Sequence, residues 1–194
     1  RVSVSYTNEN GILKTSNMER LTGAISLNTN FFDKKLNIQL NVKGIYNTNR
    51  FADTGAIGMA TQYDPTQPIY MDGNPYGNGY FMYMKSGNNP TPVDIGLANP
   101  VSILDSKHDE STVYRSIGNA QIDYKFHFLP ELRANLNLGY DVSKSEGDVI
   151  IEDNAPMTWC QGNYKTGFGE NSSYYQLKRN TLLDFYLKRN LPNM

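Results

Sequence analysis

The residues of this chain that could act as bases, nucleophiles or metal ligands are few and far apart. The two histidines, His108 and His127, fall in a long loop and at a strand end beside a turn. The single cysteine, Cys160, cannot form an internal disulfide, and the sequence indicates no role for it. No Ser-His-Asp spacing, histidine and cysteine metal cluster or phosphate-binding glycine loop is present. The sequence therefore predicts a protein that is not an enzyme and needs no cofactor.

Aromatic side chains in the two longest loops are the more informative group. These loops are rich in glycine and asparagine, and aromatic rings with nearby polar groups are typical of ligand-binding surfaces. Rings can stack on sugar faces, while asparagine and aspartate can bond hydroxyl groups. Two interpretations stay open: the rings contact a ligand, or they pack the loop on itself or on a partner. The candidates for ligand contact are Tyr63, Tyr70, Tyr80, Tyr83 and Trp159.

The elements that must position these loops are long β-strands with one apolar and one polar face. Between Leu132 and Val142 every second residue is apolar, and the residues between them run from Arg133 to Asp141 and are mostly polar. A period of two indicates a strand whose faces meet different surroundings. The pattern predicts an all-β fold of long antiparallel up-and-down strands at 1–7, 20–30, 36–50, 113–128, 131–145 and 173–190.

Composition agrees with this fold class. Of 194 residues, 12% are aromatic, led by fourteen tyrosines, and only 19% are charged. The net charge of −1 gives no reason to expect a nucleic acid partner. There is no apolar run long enough for a transmembrane helix. The chain opens on a strand and stops just after one, so we expect it to be a piece of a larger protein.

The connections between the predicted strands alternate in length. Those at 31–35 and 129–131 are short, whereas those at 8–19, 51–112 and 145–172 are longer. In an up-and-down sheet all the short turns then lie at one end and all the long loops at the other, as in transmembrane β-barrels. One short helix is expected in the longest loop, because Asn99 can cap it and Pro100 suits its first position.

Aromatic residues gather near both ends of the strands, as they do at two membrane interfaces. The group at the short-turn end is Phe31, Phe32, Phe126 and Phe128, and the group at the loop end is Tyr46, Phe51, Tyr140, Tyr174 and Tyr175. One cation, Arg179, falls on the apolar face. We expect it at the outer interface, where it costs about 0–1 kcal/mol instead of about 2–4 kcal/mol at the midplane.

The polar face is expected to line a water-filled lumen, because its charged side chains would be costly in hydrocarbon. The residues predicted to face the lumen are Asn37, Gln39, Asn41, Lys43, Gln121, Asp123, Lys125, Arg133, Asn135, Asn137 and Asp141.

Five blocks of the chain resemble SusC/RagA-type TonB-dependent outer-membrane transporters. They are NGILKTS at 10–16, FADTGA at 51–56, DPTQP at 64–68, NPV at 99–101 and YKFHFLPELRANLNLGYD at 124–141. The similarity covers nearly the whole chain and keeps the order of the blocks.

This resemblance implies a 22-stranded transmembrane β-barrel with long extracellular loops, a plug domain inside it and an N-terminal TonB box. It also implies outer-membrane lipid around the barrel, a SusD-like surface lipoprotein over its mouth, and an oligosaccharide or peptide as the imported ligand. The chain matches only early barrel strands and their loops. The plug, the TonB box and about sixteen strands are therefore expected to lie outside it.

Two other interpretations stay open. The first is a soluble or surface-attached β-rich module that binds glycans without transport and uses the apolar face as its core. The second is an outer-membrane enzyme, which would need a serine or carboxylate paired with a histidine on the outer wall. The pattern offers no such pair.

Overall fold

The computed structural model describes residues 1–160 and 166–189. Six strands form one antiparallel sheet in which the strand order follows the sequence. The strands are Val2–Asn10 (β1), Asn17–Phe31 (β2), Leu36–Phe51 (β3), Lys107–Lys125 (β4), Leu132–Ile151 (β5) and Glu170–Arg189 (β6). The prediction of an all-β fold with antiparallel up-and-down strands is confirmed.

The connections divide between two ends of the sheet. Residues 32–35 and 126–131 link strands at one end, which we call the turn end. Residues 11–16, 52–106 and 152–169 link them at the other, which we call the loop end. Neighbouring strands run in opposite directions, so the two longest connections leave the sheet at the same end.

The register gathers apolar residues on one face of the sheet. Leu136 on β5 lies opposite Ile122 on β4 and Phe185 on β6, and Ile122 lies opposite Ile38 on β3. Paired residues point to the same side, so these four share a face. We call this the apolar face, and the opposite one, which carries Asn137, the polar face.

The register also divides the predicted loop-end aromatic group. Tyr46, Tyr140 and Tyr175 lie on the apolar face, in register with Tyr114, Gly118 and Glu146 respectively. Phe51 and Tyr174 lie opposite Asp109 and Gly147, on the polar face. The expectation that Phe51 and Tyr174 belong to an interface group was wrong, because each sits an odd number of residues from the tyrosines on its strand.

No second layer covers the apolar face within the described residues. Val4, Leu183 and Phe185 are 74%, 73% and 58% exposed. The buried hydrophobic residues lie mostly in the loops rather than under the sheet. Since a soluble β-sandwich buries one face of each sheet against another, this arrangement lacks the defining contact of such a fold.

All six strands reach further toward the loop end than the alternation of the sequence predicts, β3 by one residue, β1, β2 and β6 by three, and β4 and β5 by six. β4 begins at Lys107 instead of 113, and β5 ends at Ile151 instead of 145. Residues 143–148 are polar or glycine on both faces, so the alternation fades while backbone pairing continues. At the turn end, β4 stops at Lys125 instead of 128. The predicted end of the sixth strand at 190, and residues 191–194, lie outside the described residues.

The helical segments of the described residues lie in the loops at the loop end. They are Gly55–Gln62 (α1), a 3-10 turn at Gly77–Gly79, Pro100–Ser106 (α2) and Pro156–Cys160 (α3). The predicted cap of α2 is confirmed, since Val101 N–H donates to Asn99 Oδ1 at 3.0 Å and Pro100 takes the first position. No helix in the described ranges combines the length and apolar character needed to cross a membrane.

Candidate functional site

The polar face carries every residue that the sequence predicts to face a lumen. The register puts the four from β3, the three from β4 and the four from β5 on the side of the sheet that holds Asn137. Side chains on this face are mostly half-buried or exposed, so they are open to water or to a ligand.

Two ion pairs join β4 to β5 across the polar face. Arg115 donates from Nε to Asp141 Oδ1 at 2.9 Å and from Nη2 to Oδ2 at 2.7 Å. Arg133 donates from Nε and Nη2 to Asp123 Oδ1 at 3.1 and 2.7 Å, and Asn135 Nδ2 donates to the other oxygen at 3.2 Å. These bonds fix the orientation of the four charged groups and neutralise them in pairs.

Amide side chains line the same face nearer the turn end. Asn37 Nδ2 donates to Asn28 Oδ1 at 3.1 Å and to Asn30 Oδ1 at 2.7 Å. Ser26 Oγ donates to Asn41 Oδ1 at 2.6 Å. An amide offers both donors and acceptors. This part of the polar face can therefore hydrogen-bond water or a neutral polar ligand without burying a charge.

The loops at the loop end form a folded cluster of their own. Three residues of these loops are buried together: Ala56 of α1, Ala98 just before α2, and Ile103 of α2. Met59, Leu104 and Met157 pack against them. The buried Asn99 adds to its capping role, because its Nδ2 donates to the carbonyl of Ile69 at 2.7 Å. The long loop between β3 and β4 thus has a core, which its glycine and asparagine content does not predict.

Asp53 ties the start of α1 to the start of β4. Its Oδ2 accepts from Lys107 Nζ at 2.9 Å and its Oδ1 accepts from Gly55 N–H at 2.7 Å. Burial raises the pKa of this carboxyl, but the hydrogen bonds from Lys107 and Gly55 outweigh it and leave the pKa below its ordinary value. The ionised form is therefore the one that holds the loop in place.

Asp105 of α2 is a second attachment point, which the sequence does not predict. Its Oδ2 accepts from Lys14 Nζ at 2.7 Å and from the hydroxyl of Tyr80 at 3.0 Å. Burial and the hydrogen bond to Asp105 raise the pKa of Tyr80 to about 12. Tyr80, a predicted ligand contact, thus uses its hydroxyl to hold α2, and Lys14 joins the same carboxylate to the connection between β1 and β2.

Tyr63 and Tyr83, also predicted ligand contacts, lie together inside the long loop. Their ring centroids are 6.0 Å apart in an edge-to-face arrangement, and Phe81 meets Tyr83 in the same way at 5.3 Å. Burial is the main cause that raises the pKa of Tyr63 to about 12. Its hydroxyl has no hydrogen-bond partner among the described residues. These rings contribute to the packing of the loop.

Trp159 occupies the interior of the loop between β5 and β6. Its Nε1 donates to Asn154 Oδ1 at 2.9 Å, and its ring lies edge-to-face with Tyr76 at 5.1 Å between centroids. Gly167 has φ +73° and lies so close that a Cβ there would overlap the indole ring. Only glycine suits that backbone conformation and that contact.

Tyr70 is the predicted ligand contact that is most open to solvent. It is 59% exposed, and its ring lies 5.3 Å from that of Tyr80. The structure thus brings the five candidates into three groups: Tyr70 with Tyr80, Tyr63 with Tyr83, and Trp159 with Tyr76. Tyr70 is the exposed member of the five, and the other four are half-buried.

Both histidines form hydrogen bonds that the sequence did not predict. His108 lies in β4 rather than in the loop, with Nδ1 3.1 Å from Arg50 Nη2 and Nε2 3.3 Å from Glu152 Oε1. Because a guanidinium can only donate, Nδ1 accepts and Nε2–H donates to Glu152. The expectation of no histidine and carboxylate pair was therefore wrong. Both ring nitrogens of His108 are nevertheless hydrogen-bonded to protein side chains. The other histidine, His127, has its Nδ1 3.0 Å from the hydroxyl of Tyr124.

Metal and thiol chemistry find no favourable geometry in the part of the chain that the structure describes. It holds no group of histidine, cysteine, aspartate and glutamate that could bind a metal ion. Cys160 is buried and unpaired, and burial raises the pKa of its thiol to about 11. A thiol with such a pKa is a poor nucleophile at neutral pH.

Comparison with known proteins finds one informative relative. The chain is 36% identical over 198 residues to the "TonB-dependent receptor SusC" of Bacteroides thetaiotaomicron, a match that covers 97% of the chain. The chain spans 19% of the length of that relative. No family model matches the chain.

Proposed function

This chain is homologous to the SusC-type TonB-dependent receptors, and from that premise we propose that it forms part of the wall of a nutrient-importing β-barrel in the bacterial outer membrane. In this proposal the apolar face meets lipid and the polar face lines the interior. The observation that carries the proposal is that the apolar residues of the apolar face form a band about as tall as the hydrocarbon layer of a membrane.

The apolar band begins at the turn end and stops at a row of tyrosines. Its first row holds Phe31, Leu36 and Tyr124, and its last row holds Tyr6, Tyr46 and Tyr114, which we call the tyrosine row. Between these rows a strand advances about ten residues, or roughly 34 Å. At a barrel tilt near 40° this corresponds to a height of about 26 Å, close to the ~25 Å apolar band of outer-membrane barrels.

The apolar face becomes charged immediately beyond the tyrosine row. Glu19, Glu146, Glu110 and Asp148 lie on this face toward the loop end. The rings of Tyr46 and Tyr114 are in contact, with centroids 5.1 Å apart. Tyrosine is enriched where hydrocarbon meets water. The change from apolar to charged residues follows the same row on several strands, and this row is the loop-end limit of the apolar band.

The charges of the polar face support the same orientation. Lys43, Arg115 and Asp123 lie within the height of the apolar band. A lysine or arginine that faced lipid at the midplane would cost about 2–4 kcal/mol. If the polar face points into the barrel, these costs are avoided, and its ion pairs and amides line a water-filled interior.

The finer parts of the proposal follow from the homology. The whole receptor would import an oligosaccharide or a peptide, with a SusD-like lipoprotein over the loop end and TonB acting on parts of the receptor outside this chain. A 22-stranded barrel would continue beside β1 and β6, whose outer edges have no partner strand among the described residues. The work of this segment would be binding and passage, without covalent chemistry.

The alternative of a β-rich glycan-binding module is less well supported. In such a module Val4, Leu183 and Phe185, each more than half exposed, would stay in water or need a further layer. A lipid environment removes that difficulty.

The experiment uses the full-length protein in its native cells, with and without functional TonB. Fluorescent oligosaccharides and peptides are offered, and uptake is measured together with the detergent needed to extract the protein. We expect extraction to need detergent and at least one probe to enter only when both the receptor and TonB are present. Release of the intact protein into buffer, or uptake that is equal without TonB, would contradict the proposal.

A further inference from the structure

Two cations interrupt the apolar band near its loop end. On the apolar face of the described residues, the charged side chains from the first row up to and including the tyrosine row are Lys144, which lies in the tyrosine row opposite Tyr114, and Arg179, one row nearer the turn end. Lys144 lies opposite Leu177, and Arg179 lies opposite Val142. The two are thus diagonal neighbours on adjacent strands, about 7–8 Å apart.

Arg179 carries a charge that the described residues do not neutralise. Its guanidinium makes no hydrogen bond or ion pair with them, and its neighbour across the ladder is the apolar Val142. A guanidinium has five N–H donors and no acceptor. At the edge of a hydrocarbon layer such a group needs an acceptor from outside the sheet.

Lys144 forms an ion pair but still has N–H donors available for a second acceptor. Its ammonium pairs with Glu146, and it lies 5.7 Å from the centroid of the Tyr175 ring. The side chains of Lys144 and Glu146 are 43% and 48% exposed. Because an ammonium has three N–H donors, it can hold the carboxylate and a second anion together.

The height of the two cations suits a lipid headgroup. From Leu187 in the first row to Arg179 the strand advances about eight residues, which is a height of about 21 Å at a tilt near 40°. Long cationic side chains extend from such a position toward the interface. Further toward the loop end the same face carries Glu110, Glu146 and Asp148, which would repel an anion, and Arg50, which is 3.9 Å from the carboxylate of Glu110. Charge complementarity is therefore confined to the level of the cations.

We propose that Lys144 and Arg179 together bind the phosphate of an anionic lipid in the leaflet at the loop end. The guanidinium can hold two phosphate oxygens at once, and the ammonium supplies a second charge. The acyl chains of this lipid lie along Leu183 and Phe185 toward the turn end. This inference rests on the proposed function, because it requires the apolar face to contact lipid.

The test measures lipid binding by the full-length receptor in detergent. The probes are phosphatidic acid and zwitterionic phosphatidylcholine with identical acyl chains, and native mass spectrometry gives both affinities. We expect a preference for phosphatidic acid that falls about fivefold in Arg179→Gln and again in Lys144→Gln. The matched control is Lys178→Gln, which removes the same charge from the next residue of β6, on the polar face, and should leave the preference unchanged.

Three results would overturn the inference. One is an unchanged preference in the Lys144→Gln, Arg179→Gln double variant, and another is an equal loss in Lys178→Gln. The third is displacement of phosphatidic acid by millimolar inorganic phosphate, which would indicate a site for the free anion. A separate measurement of which residues contact hydrocarbon distinguishes this inference from the proposed function. The apolar face can contact lipid even if the preference for an anionic lipid is absent.

Discussion

The ring of Tyr140 on β5 lies over Gly118, its directly opposite neighbour on β4. A Cβ on Gly118 would overlap the edge of the ring, and the tyrosine hydroxyl lies 3.0 Å from Ser116 Oγ. The missing side chain at 118 thus lets a large ring lie along the apolar band instead of projecting from it. Cross-strand pairs of glycine and an aromatic residue stabilise sheets in this way.

Gly118→Ala should destabilise the folded receptor by about 1–3 kcal/mol, because the ring must leave its position over the sheet. Chemical unfolding of the full-length protein in detergent measures this change. The matched control is Gly44→Ala on the same face, where an added Cβ meets nothing within 4 Å. Equal effects of the two substitutions would show that the contact with Tyr140 has no energetic consequence.

Trp159→Ala should loosen the loop between β5 and β6, by up to about 3 kcal/mol, since it removes a half-buried ring and the donor to Asn154. Hydrogen exchange in residues 152–160 measures the loss of protection. Tyr70→Ala should leave this exchange unchanged because its ring lies on the exposed surface of the other loop. If the two substitutions give the same exchange, the interior role of Trp159 is wrong.

Acid should release α1 from the sheet. The folded state lowers the pKa of Asp53, so its contribution to stability is present above the unfolded value of about 3.9 and is lost as the pH falls through the lower folded value. Protease cleavage within 55–62 should therefore rise below about pH 4. Asp53→Asn should raise cleavage at neutral pH, whereas Asp72→Asn, at an exposed position of the same loop, should not. Cleavage that is independent of both pH and Asp53 would contradict this attachment.

Leu138→Arg should prevent or weaken barrel assembly, at a cost of about 2–4 kcal/mol, because this position lies near the middle of the apolar band. The adjacent Asn137→Arg should be tolerated, because its side chain lies on the polar face. The yield of folded full-length protein in the outer membrane compares the two. Similar yields would remove the distinction between the faces.

Much of the fold could be predicted because one property, the alternation of apolar and polar residues, has a direct physical cause. Leu136 and Asn137 differ in surroundings, so the strand around them is visible in the sequence. The end of β5 from 143 to 151 is harder to predict, because residues 143–148 are polar or glycine on both faces and do not alternate. Backbone hydrogen bonds to β4 nevertheless continue through this part of the strand. Helix α2 was predictable from Asn99 and Pro100, whereas α1 contains two glycines and lacks a comparable signal.

The loop contacts could not be predicted, because they depend on residues far apart in the chain. Asp105 joins Lys14 to Tyr80. His108 meets Arg50 and Glu152 only after three strands have paired. Spacing along the sequence carries no information on such contacts. The aromatic residues of the loops were recognised as a group, but composition does not tell an exposed ring such as Tyr70 from an interior one.

The most direct test of the account measures which side of each strand touches lipid. In the full-length receptor with Cys160→Ser, single cysteines at Leu136, Asn137, Leu138 and Gly139 carry a nitroxide, and the protein is placed in a bilayer. Collision rates with oxygen, which partitions into hydrocarbon, and with a water-soluble nickel chelate then report the surroundings of each position. The account predicts oxygen dominance at 136 and 138 and chelate dominance at 137 and 139. Equal chelate access at all four positions, or exclusion of both reagents from 136 and 138, would contradict it.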